Sequence, residues 1–432
     1  MLQSTVNFIF ANPLLLALIQ ILIIFGVISG IVAYLVYMER KVLAFMQARL
    51  GPMRVGPWGL LQPVADGLKL LIKEDIIPAG ADKWLFLLAP AISIFAAFTV
   101  FAAIPFADYQ VRGMNLFYVS DINIGLLFIL AVSSLGIYGI ILGGWASNSH
   151  FPLLGALRSS AQLVSYEVAA GMALVGVLLF SSSLSMVEIV KQQNTMGVWN
   201  VFFQPVAFLI YVIAAVAETN RNPFDLPEAE SELTAGFHTE YSGFRFALYF
   251  MAEYTNMVVV SCIAVTLFLG GWLRPFASYK ALDFLKYAPI LATLGGGVFV
   301  LWLWLKSSVR LDRYFFAFLI ACFVVLALLL AIPPVLNAIQ GLFWFSVKVL
   351  AFLYAFIWYR ATFPRYRYDQ LMDVGWRFLI PLALTNLVVT AVVIWWKGPH
   401  LWPLLVINVI CMAVMACLLS LRSSPSGVAS ER

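Results

Sequence analysis

Charge is the scarcest property of this chain. Only 11% of its 432 residues are charged, while 63% are hydrophobic and the mean hydropathy is +0.95. A soluble globular domain usually carries about 25% charged residues, so this composition excludes that class. We expect no nucleic-acid partner for such a chain. The composition predicts an integral membrane protein.

Ligands for metals and phosphates are also scarce. The four cysteines lie in apolar segments without a C-x-x-C pair, at Cys262, Cys322, Cys411 and Cys417. We interpret them as small buried hydrophobic residues, because an iron–sulfur cluster needs four thiolates within reach. The three histidines lie in connections, at His150, His238 and His400, so no pair faces across a helix bundle to hold a haem. No phosphate-binding glycine loop occurs. The chain is therefore expected to bind no metal and no cofactor.

Long apolar runs fill most of the chain. Crossing about 30 Å of hydrocarbon takes about 20 mostly apolar residues in a helix. Backbone groups in lipid must be bonded internally, which predicts helices and excludes open strands. The eleven candidate spans are 13–38, 84–105, 122–143, 163–181, 202–217, 246–271, 288–305, 314–335, 341–359, 378–396 and 401–421.

The distribution of lysine and arginine predicts the orientation of these spans. With the N-terminus outside, the inward connections hold nineteen of the 26 cations and the outward connections hold six. An excess of cations marks the cytoplasmic side, so we expect a periplasmic N-terminus and a cytoplasmic C-terminus in a bacterial inner membrane. The outward connection 272–287 fits least well, since it contains three cations.

The first inward connection contains an amphipathic segment. Along 60–73, apolar residues cover one broad face at helical spacing, while Gln62, Asp66, Lys69 and Lys73 recur on the other. This pattern predicts a short helix that lies in the membrane interface. Such a helix could contribute to a binding site, or it could serve only as an anchor.

Acidic residues concentrate in one stretch of this hydrophobic chain. Seven of the 21 carboxylates lie between Glu218 and Glu253, opposed there by only Arg221 and Arg245. The predicted topology brings this stretch to the same side as Glu39 and Glu167. Carboxylates at the membrane typically serve as proton relays or ion sites. Alternatively, Glu167 and Glu253 pair with Arg158, Arg245 or the arginines of 360–377.

Several long motifs resemble one known family. They are ERKVLAFMQARLGP at 39–52, GLLQPVADGLKLLIKE at 59–74, LLGALRSSAQLVSYEV at 153–168, AETNRNPFDLPEAESELTAGFHTEYSG at 217–243, AEYTNM at 252–257 and RATFPRYRYDQLMDVGWRFLIPLALTN at 360–386. In these blocks the chain resembles the H subunit of proton-pumping NADH:quinone oxidoreductase, respiratory complex I. The blocks follow the family order and are spread over residues 30–390.

The resemblance implies a function and a set of site residues. Members anchor the peripheral redox arm, form the quinone chamber and couple quinone reduction to proton translocation. The implied quinone-binding residues are Glu39, Arg40, Arg49, Asp66, Phe224, Asp225, Glu228, Arg360, Arg365 and Arg367. The implied proton-coupling residues are Glu167, Glu218, Glu230, Glu232, Glu240 and Glu253. No residue of this chain alone is expected to be catalytic.

The resemblance also implies the cofactors and partners. Quinone would be the substrate, and FMN and iron–sulfur clusters would reside in partner subunits. The expected partners are the peripheral quinone-module subunits, small membrane-arm subunits and lipid. The whole chain, 1–432, is then one membrane domain with a quinone-site connection at 39–83 and an acidic connection at 218–245.

Three features depart from the family pattern. Met53 stands where the family usually has asparagine. The segment 274–338 carries two extra apolar helices, and 397–432 adds another helix and a tail. Eight family-like spans, an inserted pair and one C-terminal span give the predicted eleven. An inserted pair leaves every downstream connection on its original side of the membrane.

Two other functions fit parts of this sequence. One is the equivalent anchor subunit of a membrane-bound hydrogenase or another electron-input complex, although these relatives generally depart from the PFDLPEAESEL–FHTEYSG block. The other is a stand-alone ion transporter. Transporters usually show internal repeats and broken helices near the middle of the membrane, and we find no repeat here.

Overall fold

Long apolar helices make up most of this computed structural model, which describes residues 12–111, 114–226, 234–277, 279–307, 310–397, 406 and 408. Nine helices within these ranges are long and apolar enough to cross a bilayer. This confirms the predicted class, an all-α polytopic membrane protein.

The helices follow one another in this order. They are α1 (Pro13–Met46), α2 (Gln62–Ile72), α3 (Lys83–Thr99), α4 (Gly125–Ala146), α5 (His150–Ser181), α6 (Met186–Met196), α7 (Asn200–Phe203), α8 (Pro205–Glu218), α9 (Gly243–Phe268), α10 (Ala288–Lys306), α11 (Arg310–Leu330), α12 (Pro333–Thr362), α13 (Tyr368–Asp373) and α14 (Ile380–Lys397). Short 3₁₀ turns lie at Pro57–Gly59, Val100–Ala103, Gly236–His238 and Lys280–Tyr287, and a π-helical turn at Val374–Leu379 joins α13 to α14. Strands β1 (Gln110–Val111) and β2 (Met114–Asn115) form one antiparallel pair.

Ten of the eleven predicted spans fall on helices, with differences at proline residues. The predicted span 202–217 is interrupted at Gln204, because Pro205 starts a new helix there. The resulting α8 has 14 residues and is about 21 Å long, which is short for a bilayer. The predicted span 314–335 ends at Leu330, ahead of Pro333. The predicted span 401–421 lies outside the described residues except for 406 and 408.

Helix α9 lies at the centre of the bundle. In the most apolar 18-residue stretch of α9, 78% of the residues are buried. In the corresponding stretches of α10 and α11, 11% are buried. Glycines let α4 approach its neighbours closely. A Cβ atom at Gly139 would lie 2.1 Å from Ser93 Oγ of α3, and one at Gly144 would lie 2.4 Å from Ala156 Cβ of α5. The peripheral helices α10 and α11 pack mainly on each other and contact α12.

The connections meet at two opposite ends of the bundle. We call face A the end that carries 47–82, 147–149, 219–226, 234–242 and 363–367, where Asp82 N–H donates to Ala146 O at 3.1 Å and Ile76 N–H donates to Ser242 Oγ at 3.1 Å. Face B carries 104–111, 114–124, 182–204, 269–277 and 331–332, where Leu126 N–H donates to Leu184 O at 3.1 Å. The family resemblance implies a set of acidic and basic site residues. Those among the described residues lie near face A or in α5, α8 and α9.

Candidate functional site

A buried carboxylate lies at the centre of face A. Glu39, in the last two turns of α1, is only 4% exposed. Its Oε2 accepts a hydrogen bond from Tyr254 Oη at 2.7 Å, and its Oε1 pairs with Arg360 Nη1. Arg221 Nη1 lies 3.7 Å from the same Oε1, and its guanidinium lies 4.2 Å from the centre of the Tyr254 ring. Two arginines therefore surround one carboxylate, which leaves the cluster with a positive charge.

A polar cavity borders this cluster on face A. Its volume is about 330 Å³, and it is lined by Leu43, Met46, Gln47, Asn222, Asp225, Arg360, Ala361 and Arg365. Arg365 Nη2 pairs with Asp225 Oδ2 at 3.0 Å. Arg360 belongs to both the cavity wall and the Glu39 cluster, so a ligand in this cavity would touch a guanidinium that already holds a buried carboxylate.

The loop after α8 is fixed by hydrogen bonds to α5 and to the end of α12. Gln162 of α5 donates its Nε2–H to Ala217 O and to Phe224 O, each at 2.8 Å. Asn222 Nδ2–H donates to the carbonyls of Arg360 and Phe363, each at 3.2 Å. The Phe224 ring packs between Tyr166 and Tyr366, with ring centres 5.4 Å and 5.7 Å away. The loop that carries Asp225 is therefore held against the end of α12.

The first connection forms the exposed rim of face A. Arg40 Nη1 pairs with Asp66 Oδ2 at 2.6 Å, which joins α1 to α2. Arg49 Nε–H donates to Gln47 Oε1 at 2.7 Å, and Gln47 lines the polar cavity. Lys41 Nζ lies 3.0 Å from Met53 Sδ, a weak sulfur acceptor.

Helix α2 has the predicted amphipathic pattern, and none of its residues is buried. The large apolar side chains Val64, Leu68 and Leu71 are 55%, 54% and 60% exposed. These side chains project away from the bundle, as expected for a helix that rests on lipid.

Three of the predicted coupling acids line one small cavity. Glu167 of α5, Glu218 at the end of α8 and Glu253 of α9 line a cavity of about 40 Å³, which we call the acid cavity. Ser134 Oγ–H of α4 donates to Glu167 Oε1, and the side chains of Asn220 and Asn256 also face this space. A cavity of this size with polar walls has room for water. The three helices thus place three carboxylates within reach of one solvent-sized space.

The acid cavity adjoins the Glu39 cluster through neighbouring residues. Asn220 lines the acid cavity while Arg221 contacts Glu39, and Glu253 lines the cavity while Tyr254 contacts Glu39. The sequence predicts that Glu39, Glu167, Glu218 and Glu253 lie at a similar depth. The structure places Glu167, Glu218 and Glu253 around one cavity. Glu39 lies beside that cavity, because its partners Arg221 and Tyr254 directly follow Asn220 and Glu253 in the chain.

The remaining predicted residues have different positions. Glu240 is partly exposed in the loop before α9 and does not line the acid cavity. Arg367 is exposed at the start of α13, where its N–H donates to Gln370 Oε1 at 3.2 Å. Glu228, Glu230 and Glu232 lie outside the described residues.

Three of the arginines that the sequence offers as partners for Glu167 and Glu253 pair with other carboxylates. Arg245 Nε pairs with Asp75 Oδ2 of the first connection at 3.0 Å. Arg360 and Arg365 pair with Glu39 and Asp225. Beside Arg245, burial raises the pKa of Tyr241 to about 12, so its hydroxyl remains a donor to Phe86 O at 3.3 Å. The Arg245–Asp75 pair attaches the first connection to the start of α9.

Sequence analysis missed two members of the Glu39 cluster. Arg221 and Tyr254 are 5% and 2% exposed. Both lie inside the quoted motifs, and a signal was available, since a cation next to an apolar span needs a buried partner. Sequence alone could not show which carboxylate provides it. In the described part of the chain, no three His, Cys, Asp or Glu side chains could together hold a metal ion.

The fold and these clusters define a class of protein, a polytopic helical membrane subunit with arginines and carboxylates gathered at one face. Comparison with known proteins gives the family. The family model described as "NADH dehydrogenase" matches residues 19–391. This chain belongs to the family of NADH-quinone oxidoreductase H subunits.

Three relatives illustrate the similarity. The chain is 52% identical over 387 residues to NADH-quinone oxidoreductase H subunit 2 of Solibacter usitatus, covering 88% of this chain and 97% of the relative. It is 52% identical over 394 residues to H subunit 1 of Koribacter versatilis, covering 87% and 91%. It is 45% identical over 384 residues to the H subunit of Thermomicrobium roseum, covering 87% and 94%.

The family establishes the general function of the chain. It is a multi-pass membrane subunit of complex I, and so a subunit of an enzyme that includes other chains. None of these three relatives is named as part of a hydrogenase or as a transporter, so the two alternative functions gain no support.

Proposed function

We propose that face A forms a wall of the chamber in which quinone is reduced. The observation that carries this proposal is the buried Glu39 between Arg221 and Arg360, at the edge of the 330 Å³ polar cavity. A buried cationic cluster suits a ligand whose oxygen atoms gain electron density during reduction. Fixed guanidinium donors stabilise such charge without reorganisation of solvent.

The residues of this chain supply position and charge in the reaction, and partner subunits supply electrons. FMN and iron–sulfur clusters are expected there, as the family resemblance implies. Reduction of a quinone to a quinol consumes protons together with electrons. Arg360 and Arg365 would orient the head group, while Glu39 and Asp225 hold both arginines in place. Arg40, Arg49, Asp66, Phe224 and Arg367 would form the surrounding rim and the outer parts of the chamber.

The acid cavity would couple this chemistry to proton movement. A neutral quinone becomes a neutral quinol by taking up electrons and an equal number of protons. When nearby side chains supply these protons, the charge around Glu39 becomes more negative, and the neighbouring carboxylates respond by changing their proton occupancy. Glu167, Glu218 and Glu253 share one solvent-sized cavity, so a proton could pass among them through water. Glu240, in the loop before α9, would belong to the same proton-coupling set. Of the acids outside the described residues, Glu230 and Glu232 would also belong to this set, and Glu228 would belong to the quinone chamber.

We also propose an orientation and a set of partners. Face A would be cytoplasmic and the N-terminus periplasmic in a bacterial inner membrane, as the lysine and arginine distribution predicts. The peripheral quinone-module subunits would dock on face A, and small membrane-arm subunits and lipid would surround the spans. A cysteine at Ser307, which follows α10 on the same side as face A and away from both cavities, should then resist membrane-impermeant maleimides in intact cells and react after permeabilisation.

Two variants of the purified complex in proteoliposomes test the proposal. Arg360→Gln should raise the KM for quinone at least tenfold, because a ligand-facing donor is lost. Glu218→Gln should lower the number of protons pumped per electron more than it lowers electron transfer. Glu188→Gln, an exposed acid on face B that bonds Ser183, is the matched control and should change neither. Normal KM and normal pumping in both test variants would refute the proposal.

A further inference from the structure

Lys348 of α12 is the one lysine that is buried in the described part of the chain, with 7% exposure. Its Nζ donates to three backbone carbonyls, those of Leu269 at 2.6 Å, Gly271 at 2.9 Å and Leu273 at 2.6 Å. The ammonium also lies 4.6 Å from the centre of the Trp199 ring. All three N–H groups of the side chain are therefore used, on face B and far from the site on face A.

Backbone carbonyls, and not a carboxylate, compensate the charge of Lys348. Among the described residues, no carboxylate forms an ion pair with Lys348. The three carbonyls follow directly on α9, whose C-terminal end carries a partial negative charge from the helix dipole. A buried ammonium without such contacts would be too costly to keep charged. The interaction therefore depends on both the charge of Lys348 and the position of the carbonyls.

The carbonyl-bearing turn is itself held rigidly. Gly270 and Gly271 have φ of +71° and +51°, and Gly271 N–H donates to Val265 O at 2.8 Å. A Cβ atom at Gly270 would lie 2.8 Å from the Trp199 ring, and one at Gly271 would lie 2.7 Å from Val190. The turn cannot easily follow a displaced α12, so the three hydrogen bonds define one axial position of Lys348 relative to α9.

The same two helices meet again at face A. Tyr254 of α9 donates to Glu39 Oε2, and Arg360 of α12 pairs with Glu39 Oε1. Lys348 and Arg360 are twelve residues apart on one continuous helix, which is about 18 Å along the axis. An axial shift of α12 at face B would therefore move Arg360 by a similar distance relative to Tyr254.

We infer that Lys348 is a positioning residue for the quinone site: it fixes the axial position of α12 against α9 and thereby places Arg360 at Glu39. This inference rests on the proposed role of Arg360 in quinone binding. Lys348 touches neither the polar cavity nor the acid cavity, so it acts through the helix.

A double-mutant cycle in the purified complex tests this inference. Lys348→Met keeps an unbranched apolar side chain and removes the charge and all three donors. We expect it to raise the KM for a short-chain quinone about tenfold and to change kcat less than twofold. In the Arg360→Gln background the same change should add less than a further twofold, because the group that Lys348 positions is already absent. Lys306→Met, a lysine on the peripheral helix α10, is the control and should have no effect.

The outcomes separate the two proposals. If Arg360→Gln leaves the KM unchanged, the proposed quinone role of Arg360 fails. If Arg360→Gln raises the KM but Lys348→Met does not, or if the two effects multiply, the positioning role fails. Lys348→Gln, which keeps two N–H donors without the charge, covers the case in which the Met variant does not assemble. Failure of both variants to assemble would show a general folding role and would also overturn the inference.

Discussion

At the scale of single residues, ion pairs on face A differ mainly in burial. Glu39 is 4% exposed and contacts Arg221, Arg360 and Tyr254. The Arg40–Asp66 pair is closer, at 2.6 Å, than the Arg221–Glu39 pair at 3.7 Å, but its side chains are 48% and 27% exposed. Breaking a buried pair leaves an uncompensated charge in a medium of low dielectric constant, whereas water replaces a lost partner at an exposed pair.

This difference predicts the effect of two matched substitutions on stability. Glu39→Gln should destabilise the protein by about 3–5 kcal/mol, because two arginines lose their carboxylate. Asp66→Asn should cost about 0–1 kcal/mol. The measurement is the temperature at which half of the protein dissociates from the solubilised complex. Equal losses for the two variants would contradict the importance of burial.

At the scale of elements, the first connection depends on backbone conformations that side chains disfavour. Gly56 and Gly59 have φ of +72° and +79°, and Trp58 between them has φ of +55°. Tyr37 Oη–H donates to Trp58 O at 2.7 Å, which holds this turn on α1. Glycine and proline at 51, 52, 56 and 57 favour turns in this connection, but only the tertiary contacts show which glycine is restricted by its neighbours.

Gly59→Ala should disrupt this turn. A Cβ atom at Gly59 would lie 2.3 Å from Pro52 O, and the positive φ adds strain of about 1–2 kcal/mol. We expect weaker binding of quinone in activity assays, because the turn belongs to the rim of face A. Gly67→Ala is the control. No atom lies within 4 Å of a Cβ at Gly67 in α2, and alanine favours the helix by about 1 kcal/mol.

Helix α2 provides a second prediction at this scale. A spin label at a Leu68→Cys substitution should be accessible to oxygen dissolved in lipid, since Leu68 is 54% exposed on the apolar face. A label at Lys69→Cys should be accessible to a water-soluble nickel complex. The experiment uses the assembled complex in nanodiscs with native cysteines replaced. Two labels in the same aqueous environment would contradict a position in the membrane interface.

At the scale of the whole molecule, the bundle consists of a buried centre and a lipid-facing margin. The most apolar stretch of α9 is 78% buried. Helix α9 also carries Glu253 and Tyr254. In the α10–α11 hairpin, only 11% of the most apolar stretch of each helix is buried. Among the described residues, the hairpin contributes no side chain to the polar cavity or the acid cavity. Its contacts are with α12 and, through α11, with the turn at Pro57–Gly59.

Removal of the hairpin should therefore be tolerated. Deleting residues 280–332 removes two spans, so every downstream connection keeps its side of the membrane. We expect an assembled complex with kcat reduced less than threefold and a moderate change in the KM for quinone, because the turn at Pro57–Gly59 loses a neighbour. Loss of the shortened chain from the complex, checked against the full-length chain, would show that the hairpin is required for assembly.

The sequence by itself determined the membrane class, the helices and the grouping of most charged connections at one end of the bundle. These follow from local physical rules, since length and hydropathy specify a span and alternation of spans specifies the face. The tertiary structure alone decided the partners of the charges. Glu39 contacts residues from α9, α12 and the loop after α8, which lie between 182 and 321 positions away in the chain. Burial and the approach of helices select one partner among several arginines, and no local pattern encodes that choice. Lys348 illustrates the same limit, because its partners are backbone carbonyls, which every residue has.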